Sequence, residues 1–125
     1  MRDLARSRRF YEAVTRALGL GLIDNTETSF LIGRSAEEPV PFIWIGTDQP
    51  DFWSESHRTS ASPIHVAFQA SGRPDVDAFY KAAVENGGTD NGAPGPRGRP
   101  EMKYYGAYVL DPDGNNIEAG YRRTE

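Results

Sequence analysis

The chain contains no cysteine. Disulfides, thiolate nucleophiles, thiolate zinc sites and iron–sulfur clusters are therefore excluded, and any metal must be held by His, Asp, Glu or Tyr. There is no apolar run near the roughly 20 residues that a membrane-spanning helix needs, and the N-terminus lacks the apolar stretch of a signal peptide. No membrane partner is expected, and a cytoplasmic location is the default. A basic patch is missing too: net charge is -4, the pI is near 5.2, and the arginines are scattered, which leaves no footprint for nucleic acid. The composition points instead to a small-molecule partner.

What is present suits one folded domain, residues 1–125. Hydrophobic residues make up 38% and charged residues 26%, which argues against disorder, and the length fits a single modest core. Leu4, Ser7, Phe10, Tyr11, Val14, Ala17 and Leu18 recur at helical spacing, with Asp3 placed to cap and Gly19 to stop a helix over 3–18. The pattern returns at Val76, Phe79, Tyr80, Ala83 and Val84, with Pro74 at an opening position and Gly87-Gly88 at the end.

Between the helices, 21–25, 29–33 and 40–46 read as short strands, and 63–70 alternates as a further one. Residues 104–110 and 116–122 form a hairpin around the turn Asp111-Pro112-Asp113-Gly114-Asn115. Two stretches carry no regular pattern. One is 47–62, with Phe52, Trp53 and His57; the other is the Gly- and Pro-rich 87–103, with Arg97 and Arg99. Loops of that length are functional lids or mobile connectors.

Phe10-Tyr11-Glu12-Ala13-Val14 and Phe79-Tyr80-Lys81-Ala82-Ala83-Val84 share a signature, and each helix is followed by a glycine stop and then strands. This is the pattern of an internal duplication. A strand leads into the second helix, whereas the chain begins at the first helix, so a leading strand is missing from the first copy.

The block Ile64-His65-Val66-Ala67-Phe68, then Val76-Asp77-Ala78-Phe79-Tyr80 with Gly87-Gly88, then the run from Tyr104-Tyr105-Gly106 through Asp111-Pro112-Asp113-Gly114 to Ile117-Glu118, resembles the second half of vicinal oxygen chelate proteins. That family comprises the glyoxalase, bleomycin-resistance and extradiol-dioxygenase group. Asp3 to Tyr11 is similar to the helix that follows its first strand. The resemblance implies an α+β fold of paired βαβββ modules, here 1–62 without its leading strand and 63–125, forming a curled mixed sheet around a cleft.

The resemblance also implies a metal held by His and Glu from the strands, and a cleft that a second chain completes. His65 matches the ligand on the strand opening the second module, and Glu118 the ligand on the last strand. A further ligand belongs on the absent first strand. The one that would close the first module falls in 41–45, where Phe42 and Trp44 stand and nothing binds metal. A lactoylglutathione lyase proper is therefore disfavoured.

On this basis the chain is expected to be a small metal-dependent lyase, isomerase or dioxygenase acting on an oxygen-bearing substrate. His65 and Glu118 would hold iron, zinc, nickel or manganese, which polarises a chelated oxygen, and Tyr105 would assist Glu118 in catalysis. The alternative for the same two residues is a polar pair lining a cleft or hydrogen-bonded to one another. At the level of function, that alternative is a non-catalytic protein that sequesters a small molecule or antibiotic, with Phe42 and Trp44 as an apolar wall. Arg97 is a candidate for a substrate carboxylate. His57, in an irregular stretch, is a poor third ligand. The edge left by the missing strand favours a homodimer.

Overall fold

The computed structural model describes residues 1–48 and 64–123. Phe52, Trp53 and His57 lie outside the described residues. Helix α1 (Leu4–Leu18) leads into strands β1 (Gly21–Thr26), β2 (Ser29–Gly33) and β3 (Ile43–Gly46). After them come β4 (His65–Gln69), helix α2 (Arg73–Glu85), β5 (Thr89–Arg97), a 3₁₀ turn (Pro100–Met102), β6 (Tyr104–Leu110) and β7 (Asn116–Arg122). Local chemistry places the ends of α1 as expected: Asp3 accepts from the Arg6 N–H, and Gly19 closes the helix in the left-handed region at φ 70°.

The strands form two sheets, ordered β1-β2-β3 and β4-β7-β6-β5. In the second, β4 runs parallel to β7, while β5–β6 and β6–β7 are antiparallel. The sheet is therefore mixed, and β4-α2-β5-β6-β7 is a complete βαβββ unit. The first half repeats it as α1-β1-β2-β3 without the opening strand. The α+β expectation and its two modules are thus observed.

Two differences from the sequence reading bear on the sheets. The third strand begins at Ile43 rather than at residue 40, because Pro39 and Pro41 have no N–H to give a ladder. The second difference is larger. Residues 87–103 are not a patternless loop, since 89–97 form β5 at the edge of the second sheet. An edge strand tolerates Pro94 and Pro96, and register shifts between Asp90 and Gly92 and between Gly92 and Gly95 erase the alternation that marks a strand in sequence.

One core joins the halves. Phe10 and Val14 of α1, Val76, Phe79 and Ala83 of α2, Phe30 and Ile32 of β2, and Ala107, Val109, Ile117 and Ala119 of the hairpin are all buried together. Helix α2 packs on the face of the second sheet that carries the odd-numbered residues of β6 and β7, and α1 packs against α2 and the first sheet. Among the described residues no helix is long and apolar enough to cross a membrane.

The hairpin is tied to α1 by a buried hydrogen bond of 2.5 Å from the Tyr11 hydroxyl to Asp111 Oδ2. Burial first, and then the neighbouring Asp111 carboxylate, push the Tyr11 ionisation far above its ordinary 10.0. The folded state thus holds this proton more tightly than the unfolded chain. Its contribution is complete below about pH 10 and is lost as pH rises above that value. Tyr11→Phe is expected to cost roughly 1–2 kcal/mol at neutral pH and to flatten the alkaline loss of stability, as read from urea unfolding across pH. An unchanged alkaline limb in that variant would remove Tyr11 as its source.

Candidate functional site

The even-numbered residues of β6 and β7 face away from α2. Register lines them up across the sheet in rows. His65, Asn116 and Leu110 form one row; Ala67, Glu118, Tyr108 and Gly92 form the next. Gln69, Gly120, Gly106 and Gly95 follow, and then Arg122, Tyr104 and Arg97. The third row carries almost no side chains, so long groups of the fourth can lie back over it and reach the second.

Tyr104 does so. A β-carbon added at Gly120 would stand 1.6 Å from the Tyr104 hydroxyl oxygen, and one at Gly106 would stand 3.0 Å from its ring. The ring therefore lies flat across this glycine pair and delivers its hydroxyl to Glu118 Oε1 at 2.5 Å. From the opposite side, His65 Nε2 meets Glu118 Oε2 at 2.8 Å. Glu118 is 7% exposed, whereas half of the His65 side chain is open to solvent. A nearly buried carboxylate thus has each oxygen met by a separate donor, as a charge withdrawn from water requires.

The electrostatics follow from this arrangement. Burial first, then the hydrogen bond to Glu118 and its charge, raise the Tyr104 ionisation well above the ordinary tyrosine value, so the hydroxyl remains a donor. Tyr108 is raised as well, by burial first and then by the Glu118 charge, against the opposing pull of Arg97. A carboxylate acceptor at Nε2 holds the histidine proton on that nitrogen and leaves Nδ1 with the free lone pair.

Of the residues singled out from sequence, His65 and Glu118 are brought together. Tyr105 is not brought to them. It lies on the helix side of the sheet, where its hydroxyl bonds Asp77 Oδ1 at 2.7 Å and its ring lies under Arg73, 4.9 Å from Cζ to the centroid. The place expected for Tyr105 is taken by Tyr104, which the sequence reading passed over. The hairpin count contained the signal. A turn at 111–115 sets Leu110 opposite Asn116 and Tyr108 opposite Glu118, which puts 104 and not 105 on the carboxylate's face.

Phe42 is half exposed and lines an open groove of about 340 Å³ with Ile32, Ile43, Val66, Ala67 and Phe68. Val66 and Phe68 point to the face of Ile117 and Ala119, so the groove runs along the outer edge of β4 beside Ala67, and neither His65 nor Glu118 lines it. Trp44, 40% exposed, instead folds along its own strand over Gly46 and does not line the groove. Arg97 lies on the face of Glu118, 5.5 Å from Cζ to the Tyr108 ring centroid.

A divalent metal would find suitable donor types in His65 and Glu118. Among the described residues, however, no group of three or more His, Cys, Asp or Glu side chains is placed to hold an ion, and both Glu118 oxygens are already engaged. Two donors do not complete a coordination shell, so these residues do not fit a metal centre by themselves.

The glycine pair makes a direct test of this geometry. Tyr104→Phe should cost roughly 1–3 kcal/mol by leaving Glu118 one donor short. Gly120→Ala should cost a similar amount by displacing the same hydroxyl. In a double-mutant cycle with Tyr104→Ala, which removes the ring as well as the hydroxyl, Gly120→Ala should add little further loss. Additive losses in urea unfolding would show that Tyr104 is not held by the glycines.

The comparisons agree with this fold. A glyoxalase/bleomycin resistance protein from Albidiferax ferrireducens is 29% identical, with a TM-score of 0.72 over 98% of this chain and 93% of that one. A glyoxalase/bleomycin resistance protein/dioxygenase family enzyme from Burkholderia phytofirmans, at 19% identity, has a TM-score of 0.67 over 97% and 91% of the two chains. A lactoylglutathione lyase from Agrobacterium tumefaciens, at 18% identity, shares the fold with a TM-score of 0.61 over 97% and 86%. No curated protein matches the chain significantly. The family profile covers residues 1–119, and with the paired modules in place the chain belongs to the glyoxalase/bleomycin resistance protein/dioxygenase superfamily.

Proposed function

We propose that the chain is a small-molecule lyase or isomerase in which His65 moves a proton on a carbon next to a substrate carbonyl. The observation that carries this is the Tyr104–Glu118–His65 series, a buried carboxylate that orients an exposed imidazole. In this reading Glu118 keeps the His65 proton on Nε2 and stabilises the imidazolium that forms, while Nδ1 removes the substrate proton. With an α-hydroxy carbonyl substrate the electrons left on carbon form an enediolate; the hydroxyl proton passes to the former carbonyl oxygen, and return of the abstracted proton from Nδ1 to the former carbonyl carbon completes an isomerisation. The Phe42 groove holds the apolar body of the substrate, since pockets of this kind combine apolar walls with a few polar anchors.

Solvent deuterium exchange tests it. Small α-hydroxy and α-oxo carbonyl compounds incubated with the protein in heavy water should lose their α-proton signal in NMR. His65→Gln should slow the exchange by about 100-fold or more, in keeping with general acid–base catalysis, and Tyr104→Phe should slow it less. Exchange that stops with a chelator and returns with iron, zinc, nickel or manganese would instead assign His65 and Glu118 as ligands of a metal completed from elsewhere. The second reading, ligand sequestration without turnover, is favoured by the exposed Phe42. Tight binding with no exchange would select it.

The same proposal includes a homodimer. The bonds from the Asn116 N–H to Ile64 O and from the Ala70 N–H to Gly120 O turn those positions toward β7 and leave the backbone groups of His65, Ala67 and Gln69 on the outer edge of β4. β3 also ends its sheet. Val40, Trp44 and Ile64 stand exposed around these two edges. Unpaired edges beside apolar surface favour a second chain. Val40→Lys with Ile64→Lys should weaken self-association by about tenfold or more in sedimentation velocity; a wild-type monomer at all concentrations would overturn the dimer.

A further inference from the structure

Arg97 has no partner carboxylate among the described residues. Its hydrogen bonds go to main-chain oxygens of its own strand, Pro96 O at 3.1 Å from Nη1 and Ala93 O from Nη2. Space for it comes from two glycines: a β-carbon at Gly92 would lie 3.4 Å from Nη2, and one at Gly95 would lie 3.0 Å from Nη1. The guanidinium thus lies between the backbone of β5 and the ring of Tyr108. Its two hydrogen bonds leave the rest of its five donors unassigned to any acidic side chain.

The position matters because of what lies along the same row. Tyr108 is the cross-strand neighbour of Glu118, and its ring centroid is 6.3 Å from that of His65. Across the sheet, from β5 to β4, the order is therefore cation, aromatic ring, carboxylate with imidazole, and then the apolar groove at Ala67 and Phe42. Three strand spacings separate the ends, about 14 Å. That is the length of a small molecule with a charged head and an apolar tail.

We propose that Arg97 is the anion subsite of this face and that the substrate is a carboxylate-bearing molecule with an apolar tail. Its acid group would sit on the guanidinium, its reactive carbon over His65 and its tail in the Phe42 groove. This rests on the proposed reading of the His65–Glu118 centre and extends it to the substrate's class. A carboxylate matches the fork of guanidinium donors and gains a charge-assisted bond, whereas a neutral amide of the same shape gains neither.

Calorimetric titration of the full chain with phenylbutyrate and with phenylbutyramide, its neutral isostere, separates these possibilities. The acid should bind about tenfold or more tightly than the amide. Arg97→Gln should abolish that preference while changing amide affinity by no more than about twofold. Gly95→Ala, which keeps the charge but pushes on Nη1, should reduce the preference and serves as the second variant should Arg97→Gln fold poorly. Equal affinities in the wild-type protein, a preference that survives Arg97→Gln, or no binding of the acid would each overturn the assignment. Equal binding of both probes that still weakens in Glu118→Gln would retain the His65–Glu118 site and reject only the anion subsite.

Discussion

Four donors converge on the carboxylate of Asp111. Oδ1 accepts from the Asp113 and Asn115 N–H groups, and Oδ2 from the Asn115 side chain and the Tyr11 hydroxyl. One buried acid therefore shapes the turn between β6 and β7 and fastens that turn to α1. The turn sets the hairpin register, and register decides which residues face the helices, because a slip of one position exchanges the two faces of a strand. With Leu110 opposite Asn116, Val109 and Ile117 enter the core while Tyr108 and Glu118 face the site. The core and the functional face are thus two consequences of one turn.

The glycine row carries a different burden. Glycine in a strand weakens it, through backbone entropy and the absence of a side chain to pack. Here Gly95, Gly106 and Gly120 stand in register, and the loss is offset by what lies over them. The Tyr104 ring covers Gly106 and Gly120, Arg97 covers Gly95, and Glu118 gains the donor it needs as a nearly buried charge. A carboxylate so enclosed is costly unless both oxygens are bonded. The structure meets that demand with one phenol laid over the glycines and one half-exposed imidazole.

The two modules share a plan but not a surface. The second has its opening strand, β4, and with it the His65 that meets Glu118. Among the described residues the first has no counterpart of β4, and Phe42 and Trp44 stand exposed just before and within β3. The candidate site is polar along β6 and β7 and at His65 of β4, with apolar surface at the start of β3, and in the proposed function this asymmetry orients the ligand.

Much of the fold was legible from local pattern: the two helices from apolar spacing with Asp3 and Gly19 at the ends of the first, and the hairpin from its turn residues. These features depend on neighbours in sequence, which is why sequence alone determined them. The edge strand 89–97 was not legible, since its glycines, prolines and register shifts erase alternation, and only pairing with β6 makes it a strand. His65 and Glu118 were singled out from residue type and resemblance, but their contact, 53 residues apart in sequence, required the parallel pairing of β4 with β7. The choice of Tyr105 over Tyr104 shows the boundary. Residue type could not separate two adjacent tyrosines, whereas the register imposed by Asp111 sent one to the helices and the other across the glycines to Glu118.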